Sequence, residues 1–240
     1  MTSVVLVGAS GFVGSALHAA LARRTDLVVT PVTRATYDEA RQRSFDILIN
    51  AAMPSGRFWS RQHPQEDFAE TVQKTADLLY RWRLGKLVQI STLSARCQPD
   101  TVYGRHKAAA ERLCAFGENL VVRLGPMYGP TLAKGVLIDM LNHRKVFADR
   151  ASRYGFAPLA FVAQWIADHL GRVGVVEVGA RNALTLGEVA DYLGVSVEFE
   201  GPLDHQEVEG PTVDFPDARD VLRFLDEVRA GRVPRPSAVG

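Results

Sequence analysis

Two cysteines in 240 residues, Cys97 and Cys114, are too few to staple a chain of this length, and they lack metal-ligand spacing. That excludes disulfide-framework and zinc-ribbon classes, and a reducing, cytoplasmic interior is expected. Charge of one sign is also missing: 28 Lys and Arg against 27 Asp and Glu leave a formal net charge of +1. So balanced a surface carries no electrostatic footprint for nucleic acid or an anionic membrane, and neither is expected as a partner. The basic pairs Arg23-Arg24 and Arg41/Arg43 read as solvated faces. No run approaches the roughly 18 uninterrupted apolar residues of a membrane span. The start, Met1-Thr2-Ser3, leads straight into a strand-like run, so no signal peptide is expected. The six histidines are scattered (His18, His63, His106, His143, His169, His205), and no metal site is expected.

What is present is an alternation. Val4 to Val7 is a β-branched run, as in a strand buried on both faces of a parallel sheet. Phe12 to Arg24 carries apolar residues at helical spacing. Strands are then predicted at Leu27–Val32, Asp46–Asn50, Leu87–Ser91, Leu120–Leu124 and Val175–Val178, with helices at Gln65–Arg83 and Tyr103–Phe116. A β-α-β-α rhythm of short apolar strands implies an α/β fold with a doubly wound parallel sheet. After Gly125 the Gly-Pro breaks loosen the rhythm, and Thr185 with Glu188 forms a capping-box pattern. The expected division is a core over 1–180, with 126–157 partly in a substrate lobe. Residues 181–240 form the small substrate lobe and a loose tail from Arg229.

Between the first strand and the first helix stands Gly8-Ala-Ser10-Gly11-Phe12-Val13-Gly14. Small residues there let the chain turn tightly and the backbone approach a pyrophosphate, while the helix start offers free N–H groups and a positive dipole end. This strand–glycine–helix context makes the segment a dinucleotide cradle. The second strand ends Thr33-Arg34, where a fold that prefers NAD usually places an acid for the ribose hydroxyls. An arginine pairs instead with a 2′-phosphate, so Arg34, with help from Thr33, points to NADPH/NADP rather than NAD. Asn50-Ala51-Ala52 closes the third strand and leaves room for the adenine-ribose side of the cofactor.

Further on, Tyr103-Gly-Arg-His-Lys107 places a phenol and an ammonium on one helix face. A nearby cation stabilises a phenolate, so Tyr103 is expected to have a lowered pKa and to pass a proton to a carbonyl oxygen. Ahead of it lies Ser91-Thr92-Leu93-Ser94, and after it Arg123-Leu-Gly-Pro126-Met-Tyr128-Gly-Pro130. The Gly-x-x-Gly-x-x-Gly spacing, the Tyr-x-x-x-Lys element and these flanking segments, spread over residues 3–195, resemble the extended branch of the short-chain dehydrogenase/reductases. The chain looks like a shortened member of the NAD-dependent epimerase/dehydratase family. That resemblance implies a Rossmann-type core and a nucleotide-sugar substrate. It also implies a ribose-holding role for Lys107 and a substrate-oxygen ligand at Thr92, with Ser91 and Ser94 as runners-up. The segment from Arg123 to Pro130, with Pro126 as a cofactor contact, would line the nicotinamide end.

Three departures from the resemblance narrow the reaction. Leu93-Ser94 replace the Asp-Glu pair of the dehydratases, an NADPH-selective arginine suits a consumed cofactor, and the link from Arg34 to Asp46 is short. The expected activity is an NADPH-dependent ketoreductase acting on a nucleotide-activated 4-keto-6-deoxyhexose. The alternatives are an epimerase with bound NAD and a non-catalytic dinucleotide-binding regulator; a homodimer is a possible assembly. His106, turned about 100° from Lys107 around the helix, is expected at the surface. Met53 to Trp59 reads as a substrate-gating or a structural loop, and Arg150 and Arg153 are possible diphosphate contacts.

Overall fold

The computed structural model describes residues 1–233; of the expected loose tail, positions 234–240 lie outside the described residues. Five strands, β1 (Thr2–Val7), β2 (Leu27–Val32), β3 (Ser44–Asn50), β4 (Arg83–Thr92) and β5 (Leu120–Leu124), pair in parallel. With a last strand at Gly174–Val178 they form one six-stranded sheet in the order 2-1-3-4-5 and then the last strand. The chain leaves β1 first to one side, for β2, and then to the other, for β3. That reversal opens a crevice at the carboxyl ends of β1 and β3, where doubly wound sheets hold their ligands.

Helices cover the sheet: α1 (Phe12–Leu21), α2 (Tyr37–Arg41), α3 (Arg57–Gln62), α4 (Pro64–Phe68), α5 (Lys74–Arg81), α6 (Ser94–Cys97) and α7 (Val102–Cys114). Val4, Val5 and Leu6 have no exposed surface, as the unbroken apolar run requires of a strand covered on both faces. One face is closed by Val5, Val7, Phe45, Leu48, Leu78, Trp82 and Leu87. The helix expected over Gln65–Arg83 is interrupted: a π turn at Ala69–Gln73 separates α4 from α5, and Trp82 already has extended backbone. Between β2 and β3 the short link holds only a 3-10 turn at Arg34–Thr36 and α2. Among the described residues no helix is long and apolar enough to cross a membrane.

The chain divides into two units, residues 1–124 with 163–177, and residues 125–162 with those from 178 onward. The expected division at 180 differs from this. Residues 125–162 all group with the later segment, because their apolar side chains pack there. Tyr128, Leu137, Met140, Tyr154 and Phe156 share one core with Leu186, Val189, Val221 and Leu225. The second unit is built on small strand pairs and on helices Val136–Leu141, Leu186–Leu193 and Asp220–Arg229. The Thr185 capping box is formed, with Thr185 N–H donating to Glu188 at 2.7 Å and Glu188 N–H to Thr185 Oγ1 at 3.0 Å.

In the first unit Arg24 is not a merely solvated charge. Its guanidinium donates to Asp26 and to the Ala167 carbonyl, both at 2.7 Å.

Candidate functional site

The glycine turn is shaped by backbone contacts that leave no room for side chains. Gly8 has φ +87°, and a Cβ there would lie 2.7 Å from Ala51 and Ala52 backbone atoms. At Gly14 a Cβ would stand 2.0 Å from the Gly8 carbonyl oxygen, so only glycine lets α1 start against the turn. Gly8 N–H donates to the Val32 carbonyl at 3.1 Å and Ala51 N–H to the Val7 carbonyl at 2.9 Å, which fixes Gly8, Ala51 and the end of β2 together. Helix α1 begins at Phe12 after Gly11, with no side-chain cap and no acid in its first turn. The N–H groups of Phe12, Val13 and Gly14 therefore open the helix with its positive end uncompensated. Ser10 and Gly11 are exposed beside them. This cradle fits the pyrophosphate of a dinucleotide.

Two residues beyond Val32 stands Arg34, exposed, and among the described residues no hydrogen bond or ion pair engages its guanidinium. Thr33 shapes that turn, its N–H donating to Thr36 Oγ1 at 3.1 Å. Asn50 is fully buried: its side-chain amide donates to Gln89 Oε1 at 3.1 Å, and its carbonyl accepts from Ala52 N–H at 3.2 Å. The β3 end is thereby held open around two alanines. Pro126 belongs to the second unit, where its carbonyl accepts from Ala157 N–H at 2.9 Å.

Helix α7 presents Tyr103 and Lys107 on one buried face, 8 % and 2 % exposed. Gly104 lets that helix sit tight on the segment before it, since a Cβ there would lie 2.0 Å from the Gln98 carbonyl oxygen. The Tyr103 hydroxyl is hydrogen-bonded to Thr92. Thr92 Oγ1 also accepts from Ser94 N–H at 3.3 Å. The Lys107 ammonium lies 5.1 Å from the centre of the Tyr103 ring and donates to the Pro54 carbonyl at 2.7 Å. Thr92, Tyr103 and Lys107 are thus one cluster, and the loop from Met53 to Gly56 is tied to it.

The electrostatics differ from the expected lowering of the phenol. Burial pushes Tyr103 up to about 12, against the smaller opposing effects of the Arg57 charge and the Thr92 hydrogen bond. Burial likewise pushes Lys107 down to about 7, with Asp67 partly restoring it. Lys107 lies over the ring face rather than against the phenol oxygen, and removal from water outweighs the cation's pull.

A stability consequence follows from the lysine. Between about pH 7 and its ordinary value of 10.5 the folded state binds fewer protons at Lys107 than the unfolded chain, so this residue's contribution makes stability rise with pH. Lys107→Met is expected to stabilise the protein at pH 6 by as much as a few kcal/mol, less the lost bond to Pro54, with the gain shrinking towards pH 10. Thermal unfolding of both proteins across that range checks it, and a gain that grows with pH contradicts it.

Of the runner-up hydroxyls, Ser91 is committed to Glu111 Oε1 at 2.6 Å, and Ser94 Oγ is buried without a partner among the described residues. Arg123, expected with the segment at the nicotinamide end, is instead held by Glu111 at 2.7 Å and approaches Glu177 at 3.5 Å. Arg96 donates to the same Glu177 at 2.8 Å. Glu111 was legible: it stands four residues beyond Lys107, on the same helix face.

His106, expected at the surface, is part-buried. Its Nδ1 pairs with the fully buried carboxylate of Asp67 at 2.7 Å, and its ring meets the edge of Phe68. Asp67 carried no such signal, because an acid in a helix's first turn reads as a partner for the dipole. In the second unit the possible diphosphate contacts are engaged by carboxylates, Arg150 by Asp191 at 2.6 Å and Arg153 by Glu207 at 2.8 Å.

Known proteins agree with this architecture. The RMD protein of Pseudomonas aeruginosa, complexed with NADPH, superposes with a TM-score of 0.74 at 20% identity, covering 94% of this chain and 98% of that one. UDP-glucuronic acid 4-epimerase from Bacillus cereus, with UDP-glucuronic acid and NAD, gives 0.66 at 18% identity, over 99% and 94%. The NAD dependent NDP-hexosamine 5,6-dehydratase TunA, involved in tunicamycin biosynthesis, gives 0.72 at 17% identity, over 96% and 98%. At these identities the likeness is one of fold. No curated protein matches the chain. The model of the NAD dependent epimerase/dehydratase family matches residues 4–146, which takes in the glycine cradle, the β4 hydroxyls and the Tyr103–Lys107 helix. With more than half of its length so matched, the chain belongs to the NAD dependent epimerase/dehydratase family.

Proposed function

We propose that the protein is an NADPH-dependent ketoreductase that converts a carbonyl of a nucleotide-activated keto-deoxysugar, of the 4-keto-6-deoxyhexose type, to an alcohol. The observation that carries the reading is Arg34, whose exposed guanidinium stands unengaged among the described residues, two residues beyond the carbonyl that fixes the glycine turn. A planar cation with its charge fixed at any working pH suits the 2′-phosphate of NADPH. A cofactor chosen by that phosphate suits net reduction, after which it leaves and is exchanged.

The cradle of Gly8, Ser10, Gly11, Phe12, Val13 and Gly14 would hold the pyrophosphate, with Asn50, Ala51 and Ala52 flanking the adenine ribose. Held there, the nicotinamide would supply the hydride that the carbonyl carbon takes up. Thr92 hydrogen-bonds the substrate oxygen and keeps it near the Tyr103 hydroxyl. Tyr103 gives that oxygen its proton as the C–H bond forms, leaving a phenolate beside Lys107. The carboxylates that water elimination needs are missing from the position after Thr92, where Leu93 and Ser94 stand.

Arg34→Ala tests the reading. A hydrogen bond to a charged group contributes about 1.5–3 kcal/mol, roughly ten- to a hundredfold in affinity. NADPH is expected to weaken by that factor and NADH to be unchanged, as measured by cofactor fluorescence titration. Equal affinities of the parent protein for the two cofactors would overturn the NADPH assignment. Stoichiometric NAD⁺ extracted from freshly purified protein would instead favour an epimerase, which keeps its cofactor through a full cycle.

A further inference from the structure

Ser91, the residue before Thr92, and Glu111, one turn beyond Lys107 on α7, are both buried and take no part in the proposed proton transfer. Ser91 Oγ donates to Glu111 Oε1 at 2.6 Å, which ties the end of β4 directly to α7. The same carboxylate is gripped from β5. Arg123 Nε donates to Oε1 at 3.1 Å and to Oε2 at 3.0 Å, and Arg123 Nη2 donates to Oε2 at 2.7 Å. Ser91 and Arg123 are register partners on the paired strands, and Thr92 is the partner of Leu124. Arg123 also approaches Glu177 of the last strand at 3.5 Å, and Glu177 accepts from Arg96 of α6 at 2.8 and 3.0 Å. The stretch from Ser91 to Arg96 is thus fastened by side chains at both ends, with Thr92 inside it. A buried ion pair gives little net stability over apolar residues of the same volume, so stability alone does not account for these charges. What charge-assisted bonds do supply is short, directional geometry.

We propose that Ser91 and Glu111 are positioning residues: their hydrogen bond, with Glu111 locked by Arg123, sets the spacing between Thr92 at the end of β4 and Tyr103 on α7. The inference rests on the reading of Thr92 and Tyr103 as groups that act on one substrate oxygen. Those two groups stand on different elements, and β4 meets β5 through backbone bonds that leave its distance from α7 unset. Ser91 to Glu111 is the side-chain bond that joins β4 to α7 one residue from Thr92. A proton passes only between atoms held at hydrogen-bond distance, so a small drift of the β4 end away from α7 would slow the transfer without disturbing the glycine cradle. Neither Ser91 nor Glu111 needs to touch the substrate, because each acts through Thr92.

Ser91→Ala removes this one bond and leaves the pair of Glu111 with Arg123 in place. In single-turnover reduction of the keto-sugar it is expected to lower the hydride-transfer rate about tenfold, while NADPH affinity stays within about twofold. In a Thr92→Val background the same change is expected to cost less than about twofold more, because the group it positions is already gone. A second readout needs no substrate. The chain has six tyrosines, so ¹³Cζ-tyrosine labelling gives a simple spectrum, in which the Tyr103 signal is the one lost in Tyr103→Phe. That signal is expected to move in Ser91→Ala towards its place in Thr92→Val. Should Ser91→Ala fail to fold, Ser91→Cys takes its place with the same expectations. An unmoved Tyr103 signal, a rate equal to the parent's, or a full tenfold loss on top of Thr92→Val would overturn the proposal. If the parent reduces no keto-sugar yet Ser91→Ala moves the Tyr103 signal, the functional reading fails and the positioning bond stands. If the parent reduces the keto-sugar and Ser91→Ala leaves the signal and the rate unchanged, the positioning bond fails and the functional reading stands.

Discussion

Tyr103→Phe is expected to lower turnover by about two to four orders of magnitude while cofactor affinity stays within about twofold, since general-acid catalysis contributes about 10²–10⁴-fold. The phenol is the proton donor in the proposed reaction, and burial keeps it protonated, up to about 12. A buried group that holds its proton so firmly gives it up only to a developing alkoxide. The hydrogen bond from Thr92 and the field of Arg57 ease that transfer, because both favour the phenolate. Phenylalanine keeps the ring and its packing at the face of Lys107, so folding loses little more than the Thr92 bond, about 1 kcal/mol. Single-turnover oxidation of NADPH, followed by absorbance, separates the chemical step from binding. A variant that transfers hydride at the parent rate would remove Tyr103 from the mechanism.

Gly14→Ala is expected to weaken dinucleotide binding by more than about a hundredfold and to destabilise the fold by about 1–3 kcal/mol. The added Cβ would lie 2.0 Å from the Gly8 carbonyl oxygen and 2.8 Å from its carbon, both backbone atoms that no rotamer change moves aside. Either α1 lifts off the sheet or the Gly8 turn opens. Both displace the N–H groups of Phe12, Val13 and Gly14 from the place where a pyrophosphate would sit. Gly11→Ala is the control for the stability effect alone, because within the protein its Cβ would meet only the Gly8 oxygen at 3.4 Å. Fluorescence titration and thermal unfolding read the two effects separately. Cofactor affinity in Gly14→Ala equal to that of the parent would mean that the turn is not the cradle.

The amino-acid pattern alone fixed a good deal of this protein. Val4 to Val7 reads as a strand covered on both faces, and the glycine spacing after it as a turn that a cofactor's phosphates can approach. The four-residue step from Tyr103 to Lys107 puts both groups on one side of α7 wherever that helix lies. These features are local, set by backbone sterics and helical period, so neighbouring residues suffice to read them. What the tertiary structure decided is which charges meet. Arg123 turned to Glu111 and Glu177, Arg150 and Arg153 found carboxylates of their own, and His106 paired with the buried Asp67, 39 positions earlier in the chain. The protonation of the site was decided there too. The side-chain types alone suggest a lysine that lowers a tyrosine, whereas their shared burial raises the phenol and lowers the amine. Desolvation depends on everything packed around a group, and that environment is assembled from β4, α3, α4 and α7, segments that share no local pattern in the chain.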